Sequence, residues 1–558
     1  MSSSRAYVRA LLPSAADYAA SRRTWRGDLL AGLTVGIVAL PLALGFGIAS
    51  GAGAAAGLIT AIVAGVIAAV FGGSNVQVSG PTGAMVVVLA PIVAAHGMAA
   101  VAVVSVLAGI LVLIAGALRL GRAVSFIPWP VIEGFTLGIA IIIFLQQVPA
   151  LTGADSDSIL HTNVIATALS SLASADPLYL AWSLAAVATV AACMYLLPLL
   201  HRAIPGSLVG IVVVTVLALL LPSPLAVIGA LPSSLPTPGL PSFSIETLSQ
   251  LLLPAVAVAA LAAIESLLSA RVAASLADTG PYDPDRELVG QGLASIGAGL
   301  FGGMPATGAI ARTAVNVRAG GRTRVAAIFH ALVLLLVVLV AAGPVGSIPL
   351  AALSGVLMVT AIRMVHLATA RSILRSTRAD AIAYVVTAVV TVSVDLIVAV
   401  VIGMAVAGIF AIRGLSRATG VHREAIEGPS EAGDERIAVI RLDGPLFFAA
   451  ADRVLETVTS IDGVTVVILR MSQVELVDAT GAHVLTEIVE QLERRGVTVL
   501  IKGIREGHIE LFTTVGVLRA LRHHKHLFDE LAPAIAHARS HIHRDDARSA
   551  DTRSAPQG

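Results

Sequence analysis

The chain has 558 residues, 56% hydrophobic and only 13% charged, with a mean hydropathy of +0.90. Soluble proteins carry about twice that charge fraction, so most of this chain belongs in lipid. A net charge of +1 gives no ground for a nucleic-acid or acidic partner, and the single Cys193, set in an apolar run, excludes a disulfide framework.

Arg5, Arg9, Arg22, Arg23 and Arg26 precede an apolar segment that runs on without a cleavage site, so the first span is expected to stay as an anchor. Taking about 20 residues as a full span, and accepting shorter segments where the chain breaks, fourteen hydrophobic segments follow. The first half gives 28–49, 53–71, 79–95, 99–117, 125–148, 179–200 and 206–222; the second gives 250–276, 288–301, 305–318, 323–343, 348–365, 379–394 and 396–413. Basic residues cluster only after even-numbered segments: Arg119 and Arg122; His201 and Arg202; Arg318, Arg322 and Arg324; Arg363, Arg371, Arg375 and Arg378. The long loop 149–178 carries Asp155, Asp157 and Asp176 instead. This positive-inside asymmetry places both termini and the even loops in the cytoplasm.

Most segments are rich in Gly and Ala, which lets helix backbones approach closely in lipid. Gly302–Thr313 differs, because its glycines and Pro305 break an apolar region too often for an ordinary span. Val78–Met85 echoes it: Pro81-Thr82-Gly83-Ala84 matches Pro305-Ala306-Thr307-Gly308-Ala309 with one residue inserted. Interrupted segments in corresponding places of two halves point to a transporter's binding site.

The character changes near Arg413. Residues 415–435, with Gly428-Pro429-Ser430, read as a polar linker. Strand-like Ile437–Leu442, Val464–Leu469 and Val497–Ile501 then alternate with helix-like Pro445–Ser460, Thr480–Arg494 and Glu506–Val515, which predicts a small α/β domain. The expected organisation is a cytoplasmic N-terminal segment 1–27, a helical membrane domain 28–414, the linker 415–435, the α/β domain 436–539 and a disordered, charged tail 540–558.

Two intramembrane features carry chemistry. Glu265 lies mid-segment, where a charge costs about 3 kcal/mol unless it faces a polar cavity, pairs or is protonated. Ser269 is one turn on, so the two can hold a proton or a small cation. The second feature is the pair of broken segments. Pro81 and Pro305 suit first helical turns, whose N-terminal amides and dipoles would face a cavity and form an anion site, with Thr82 and Thr307 as hydroxyl donors. Arg312 either supplies the anion's positive charge or serves as the counter-ion of Glu265. No P-loop, hydrolytic motif or metal-ligand spacing argues for an enzyme, a metal or an organic cofactor. Irregular backbone also lines channel filters, so these residues leave carrier and channel both open.

Four stretches resemble the sulfate permease (SulP/SLC26) family of anion transporters: Ala39–Gly51, Gly73–Gly83, Ala263–Arg271 and Gly302–Thr313. The C-terminal domain resembles the STAS module that follows the membrane part in that family. The resemblance implies a seven-plus-seven inverted repeat, third and tenth segments that are half-helices meeting across the site, elevator-like transport and a homodimer in the bacterial inner membrane. It places the substrate site at Phe46, Thr82, Ala306, Thr307, Gly308 and Arg312, with Glu265 and Ser269 coupling transport to an ion. Leu42-Ala-Leu-Gly-Phe46 is more apolar than in sulfate-type members and resembles the bicarbonate and dicarboxylate branches. Glu265 resembles the proton-coupled members, whereas sodium-coupled bicarbonate relatives tend to have Asp and Thr where this chain has Glu265 and Ser269. The expected function is therefore proton-coupled anion symport, the anion being of the sulfate, bicarbonate or dicarboxylate class. A sodium-coupled bicarbonate symporter and an uncoupled channel or exchanger are the alternatives, and an anion sensor acting through the STAS domain is a third class. Val477-Asp-Ala-Thr-Gly-Ala482 resembles the phosphorylated loop of anti-sigma antagonists. Asp478 and Thr480 are its candidate regulatory residues, with a plain helix cap as the simpler reading.

Overall fold

The computed structural model describes Tyr7, Arg9 and residues 11–122, 127–153, 164–201, 204–241, 245–276, 278–394, 396–426 and 429–554. Asp155, Asp157 and Arg202 of the loop-charge pattern, Arg5 and Gly428 lie outside these residues. Two compact units divide the chain at residues 405 and 406.

Fourteen membrane segments appear as helices. The first seven are α1 (Ser21–Ala49), α2 (Ala54–Phe71), α3 (Gly83–His96), α4 (Ala99–Ala117), α5 (Trp129–Gln146), α6 (Pro177–Leu200) and α7 (Gly206–Leu220). The second seven are α8 (Ile245–Leu276), α9 (Pro284–Leu300), α10 (Ile310–Arg318), α11 (Arg324–Gly346), α12 (Leu350–Met364), α13 (Arg378–Ser393) and α14 (Leu396–Ala418). Among the described residues, nine helices are long and apolar enough to cross a membrane. Among its described residues, the supposed loop 149–178 holds most of one short helix, Val148–Thr152, and all of another, Val164–Ala173.

Packing carries the signature of an inverted repeat, because contacts recur when each helix is exchanged with the one seven places away. α1 packs on α11 as α8 packs on α4; α2 packs on α11 as α9 packs on α4; α5 packs on α13 as α12 packs on α6. The crossing of α4 on α9 relies on small residues: a methyl on Gly109 would lie 2.7 Å from the Gly292 carbonyl oxygen.

α1 begins seven residues before the expected start of the first segment, so part of the predicted N-terminal extension is helix. Asp28 is fully buried within it and accepts from the Arg322 and Thr323 amides and the Thr323 hydroxyl, at 2.7, 3.1 and 2.7 Å. One carboxylate thereby fixes the turn between α10 and α11. Arg324, one of the loop cations, is also buried and donates to the Ala69 and Gly72 carbonyls and to Asn75. Arg286, at the start of α9, forms a two-pronged ion pair with Asp17.

Unit two holds a five-stranded sheet in the order β3–β4–β5–β6–β7: β3 (Gly420–Glu424), β4 (Ile437–Asp443), β5 (Val466–Gln473), β6 (Thr498–Lys502) and β7 (Leu527–Phe528). β3 is antiparallel to β4 and the rest are parallel. Helices α15 (Phe448–Thr459), α16 (Ala479–Arg494) and α17 (Glu506–Val515) connect or follow the parallel strands, and α18 (Leu531–Ser554) closes the chain. Two expectations are corrected here. The linker 415–435 contains the end of α14 and all of β3, whose Gly-Val-His-Arg-Glu sequence is too polar to read as a strand. Its charges suit an edge, and Glu424 ion-pairs with Arg441 and Arg470. The tail from 540, expected to be disordered, continues α18 to Ser554. Ala534, Ile535, Ala538 and Ile542 bury one face of α18 against the sheet, and Arg436 pairs with Asp546.

Candidate functional site

The two broken segments meet. Ser79–Gly80 (β1) and Thr307–Gly308 (β2) pair antiparallel, Ser79 opposite Gly308 and Gly80 opposite Thr307. α3 and α10 start just beyond this ribbon. Pro81 therefore stands ahead of the N-cap Thr82, and Pro305 lies before β2; neither occupies a first helical turn, as the sequence had suggested. Arg312 is accordingly the third residue of α10.

Residues 73–79 are held by polar side chains from α9 and α10. Glu287 of α9, 2% exposed, accepts from the Gly73 and Ser74 amides and from the Gln77 and Gln291 side chains. Gln291 also donates to the Ser79 hydroxyl at 2.6 Å. Thr313 accepts from the Val78 amide, and Asn316 donates to the Val76 carbonyl. On the other side of the ribbon, the Ser266 hydroxyl accepts from the Gly308 amide at 3.1 Å and Ser295 from the Ala306 amide at 3.2 Å. Two of the backbone donors expected to face an anion are thus already engaged. The open donors lie at the helix starts, since neither Thr82 nor Ala309 caps its helix with a side chain.

Two glycines permit this closeness. A methyl on Gly308 would sit 1.8 Å from Gln77 Nε2 and 3.0 Å from Ser269 Cβ; one on Gly83 would sit 2.1 Å from Ile143 Cδ1 and 3.4 Å from the Phe46 ring.

Beside the ribbon, three oxygens form a triangle. Thr82 donates to Glu265 Oε2 at 2.7 Å, Thr307 Oγ1 lies 2.8 Å from the same oxygen, and the two hydroxyls are 3.0 Å apart. Thr82 and Thr307 are buried, and Glu265 is half-buried. Phe46, 6% exposed on α1, packs at the α3 start. Arg312 is 1% exposed, donates to the Pro81 carbonyl and leaves Nη1 without a partner. Among the described ion pairs within 4 Å, none joins it to Glu265.

The structure thus gathers Phe46, Thr82, Glu265, Ala306, Thr307, Gly308 and Arg312 around one ribbon. Ser269 is buried, but its hydroxyl meets Thr313 at 3.5 Å and is not in the triangle. Ser266, Gln77, Glu287 and Gln291 were not singled out from sequence. The signal was present in part, because Glu287 and Gln291 are polar residues four apart on a helix otherwise rich in Ala and Gly. In unit two, Asp478 caps α16 through the Gly481 amide at 2.7 Å and also accepts from the Phe448 amide; Thr480 is exposed.

A family model described as the sulfate permease family matches residues 25–387, and one described as the STAS domain matches residues 429–534. The chain belongs to the sulfate permease family. It is a multi-pass membrane transport protein with a C-terminal STAS domain, not an enzyme. The bicarbonate transporter BicA of Synechocystis is 34% identical over 509 residues, covering 86% of this chain and 88% of its own. YvdB of Bacillus subtilis, provisionally named a sulfate transporter, is 33% identical over 520 residues, 90% of this chain and 96% of its own. The structure of the murine Slc26a9 anion transporter in the inward-facing state superposes with a TM-score of 0.83 at 19% identity, covering 96% of this chain and 95% of that one. This chain therefore shares that fold over 96% of its length.

Proposed function

We propose that this member of the family is a secondary active symporter that carries a small anion with a proton, Glu265 being the proton carrier. The triangle of Thr82, Thr307 and Glu265 supports the reading. When Glu265 is ionised, both threonine hydrogens are drawn to the carboxylate, because hydrogen bonds to a charged acceptor are the stronger ones. When Glu265 is protonated, three hydrogens serve three oxygens. Two are enough to link them, so the third is free to turn toward an anion. Protonation also removes a repulsion. A carboxylate about 5 Å from a bound anion opposes it by about 3 kcal/mol at an effective dielectric of about 20, roughly two orders of magnitude in affinity. The unpaired Nη1 of Arg312 and the uncapped starts of α3 and α10 supply the attraction. The ribbon supports an elevator-like motion in which this site travels with its helices. The positive-inside pattern supports cytoplasmic termini in a bacterial inner membrane, and the shared fold supports a homodimer.

Bicarbonate is favoured over sulfate by the apolar Leu42–Phe46 stretch and by the likeness to BicA; a dicarboxylate is the next choice. Vesicles loaded with the purified chain test the reading. A pH gradient of one unit should drive up to about tenfold accumulation per proton carried. Glu265→Gln should abolish accumulation while leaving the protein folded and able to bind the anion. Unchanged proton-driven uptake in that variant would remove Glu265 from the mechanism. Accumulation driven by sodium alone would select the sodium symporter, and purely dissipative flux the channel or exchanger.

A further inference from the structure

Outside the transport site, one cluster has the chemistry of a metal centre. His526 ends a short turn ahead of β7, and His537 and His541 stand one turn apart on α18, on one helix face. One nitrogen from each of the three rings can be chosen so that all lie within 4.8 Å of one another. The rings crowd, with centroids 5.6 Å apart for His526 and His537, 5.5 Å for His526 and His541, and 5.0 Å for His537 and His541.

The polar satisfaction of these rings is incomplete. His526 is 1% exposed, and its Nδ1 has no hydrogen-bond partner; the buried Nε2 of His541 has none either. Two buried ring nitrogens without partners, beside a third imidazole, carry a desolvation cost unless something fills the space between them.

We propose that His526, His537 and His541 bind one divalent transition-metal ion of the zinc class, which ties α18 to the edge of the STAS sheet. Three imidazoles and no carboxylate select zinc, copper or nickel over calcium or magnesium. Tetrahedral bonds of roughly 2.0–2.1 Å place ligand nitrogens about 3.4 Å apart, so the rings close on the ion by small side-chain turns. The fourth position is left for water or a further side chain. Arg544 and Lys525 lie close enough to oppose a cation, which favours an ion that binds imidazole strongly.

The test uses the full chain in detergent, free of any affinity tag, stripped with EDTA and titrated with Zn2+ against a chromogenic chelator and with Co2+ by visible absorption. The expected result is one tight ion per chain, with the intense bands of four- or five-coordinate Co2+. Binding should be at least tenfold weaker in His537→Ala and in His541→Ala, and unchanged in the exposed control His483→Ala. Wild-type binding no tighter than in the double variant His537→Ala/His541→Ala, or a Co2+ spectrum of the hydrated ion, overturns the proposal. If an alanine variant does not fold, the wild type decides: Zn2+ should raise the melting temperature and protect α18 from proteolysis, both reversed by EDTA, and no shift counts against the site.

Discussion

Gly308→Ala tests whether the site depends on the close approach at the ribbon. The added methyl would lie 1.8 Å from Gln77 Nε2, 2.8 Å from its Cδ and 3.0 Å from Ser269 Cβ. Gln77 cannot swing aside freely, because Nε2 donates to Glu287 at 2.9 Å and reaches the Ser266 carbonyl at 3.4 Å. Moving it far enough to reach ordinary contact distance breaks both. Overpacking costs about 1–3 kcal/mol, and the lost bond to a charged acceptor about 1.5–3 kcal/mol. The total, about 2.5–6 kcal/mol before relaxation, should lower the melting temperature in detergent by several degrees and abolish uptake, since Thr307 shifts with Gly308. Adding Gln77→Ala removes the colliding atoms while Gly73, Ser74 and Gln291 still serve Glu287. The double variant should therefore recover part of the stability, with a coupling of about 1–3 kcal/mol in a double-mutant cycle. A Gly308→Ala protein that melts and transports like wild type, or strictly additive losses in the double variant, would refute the reasoning.

Glu287→Gln replaces a carboxylate that accepts four hydrogen bonds with an amide that turns an N–H toward two of those donors. The expected loss is about 2–4 kcal/mol, read as a lower melting temperature. Burial raises the carboxyl of Asp17, but the hydrogen bonds from Arg286 and the Ser14 amide outweigh it and bring its pKa down to about 2. A depressed carboxyl stabilises above its unfolded value, so this contribution, about 1–2 kcal/mol after screening, is complete above about pH 4 and is lost as pH falls toward 2. Proteolysis of the N-terminal segment against pH should show that window in the wild type and lose it in Asp17→Asn. Asp478→Ala should cost the STAS domain about 1–2 kcal/mol by uncapping α16, while Thr480→Ala leaves its melting unchanged.

Much of this was legible in sequence because lipid imposes a coarse rule. Each of the fourteen hydrophobic segments corresponds to a helix, and Glu265 stood out because a carboxylate is costly there. The Pro-Thr-Gly echo located the ribbon, since only glycine tolerates the approach at Gly308. Helix starts were less legible: Pro81 and Pro305 read as first-turn residues, yet the chain spends four to five more residues on strand pairing and side-chain bonds before α10 begins. β3 was hidden by the charges that protect a sheet edge, and the end of α18 by a mostly polar run whose partners, such as Arg436, are distant in sequence. The supporting set of Ser266, Gln77, Glu287 and Gln291 was missed because its meaning lies in contacts across about 190–214 positions.

The pairing of β1 with β2 makes the spacing of the chain around Thr307 as important as its identity. Side chains alternate between faces of a strand, so sliding β2 by one residue would keep every site residue in the sequence and carry the Thr307 hydroxyl to the opposite side, away from Glu265. A one-residue deletion between Gly303 and Ala306 would therefore be more damaging than most substitutions there. In this stretch, chain length is itself a determinant of specificity.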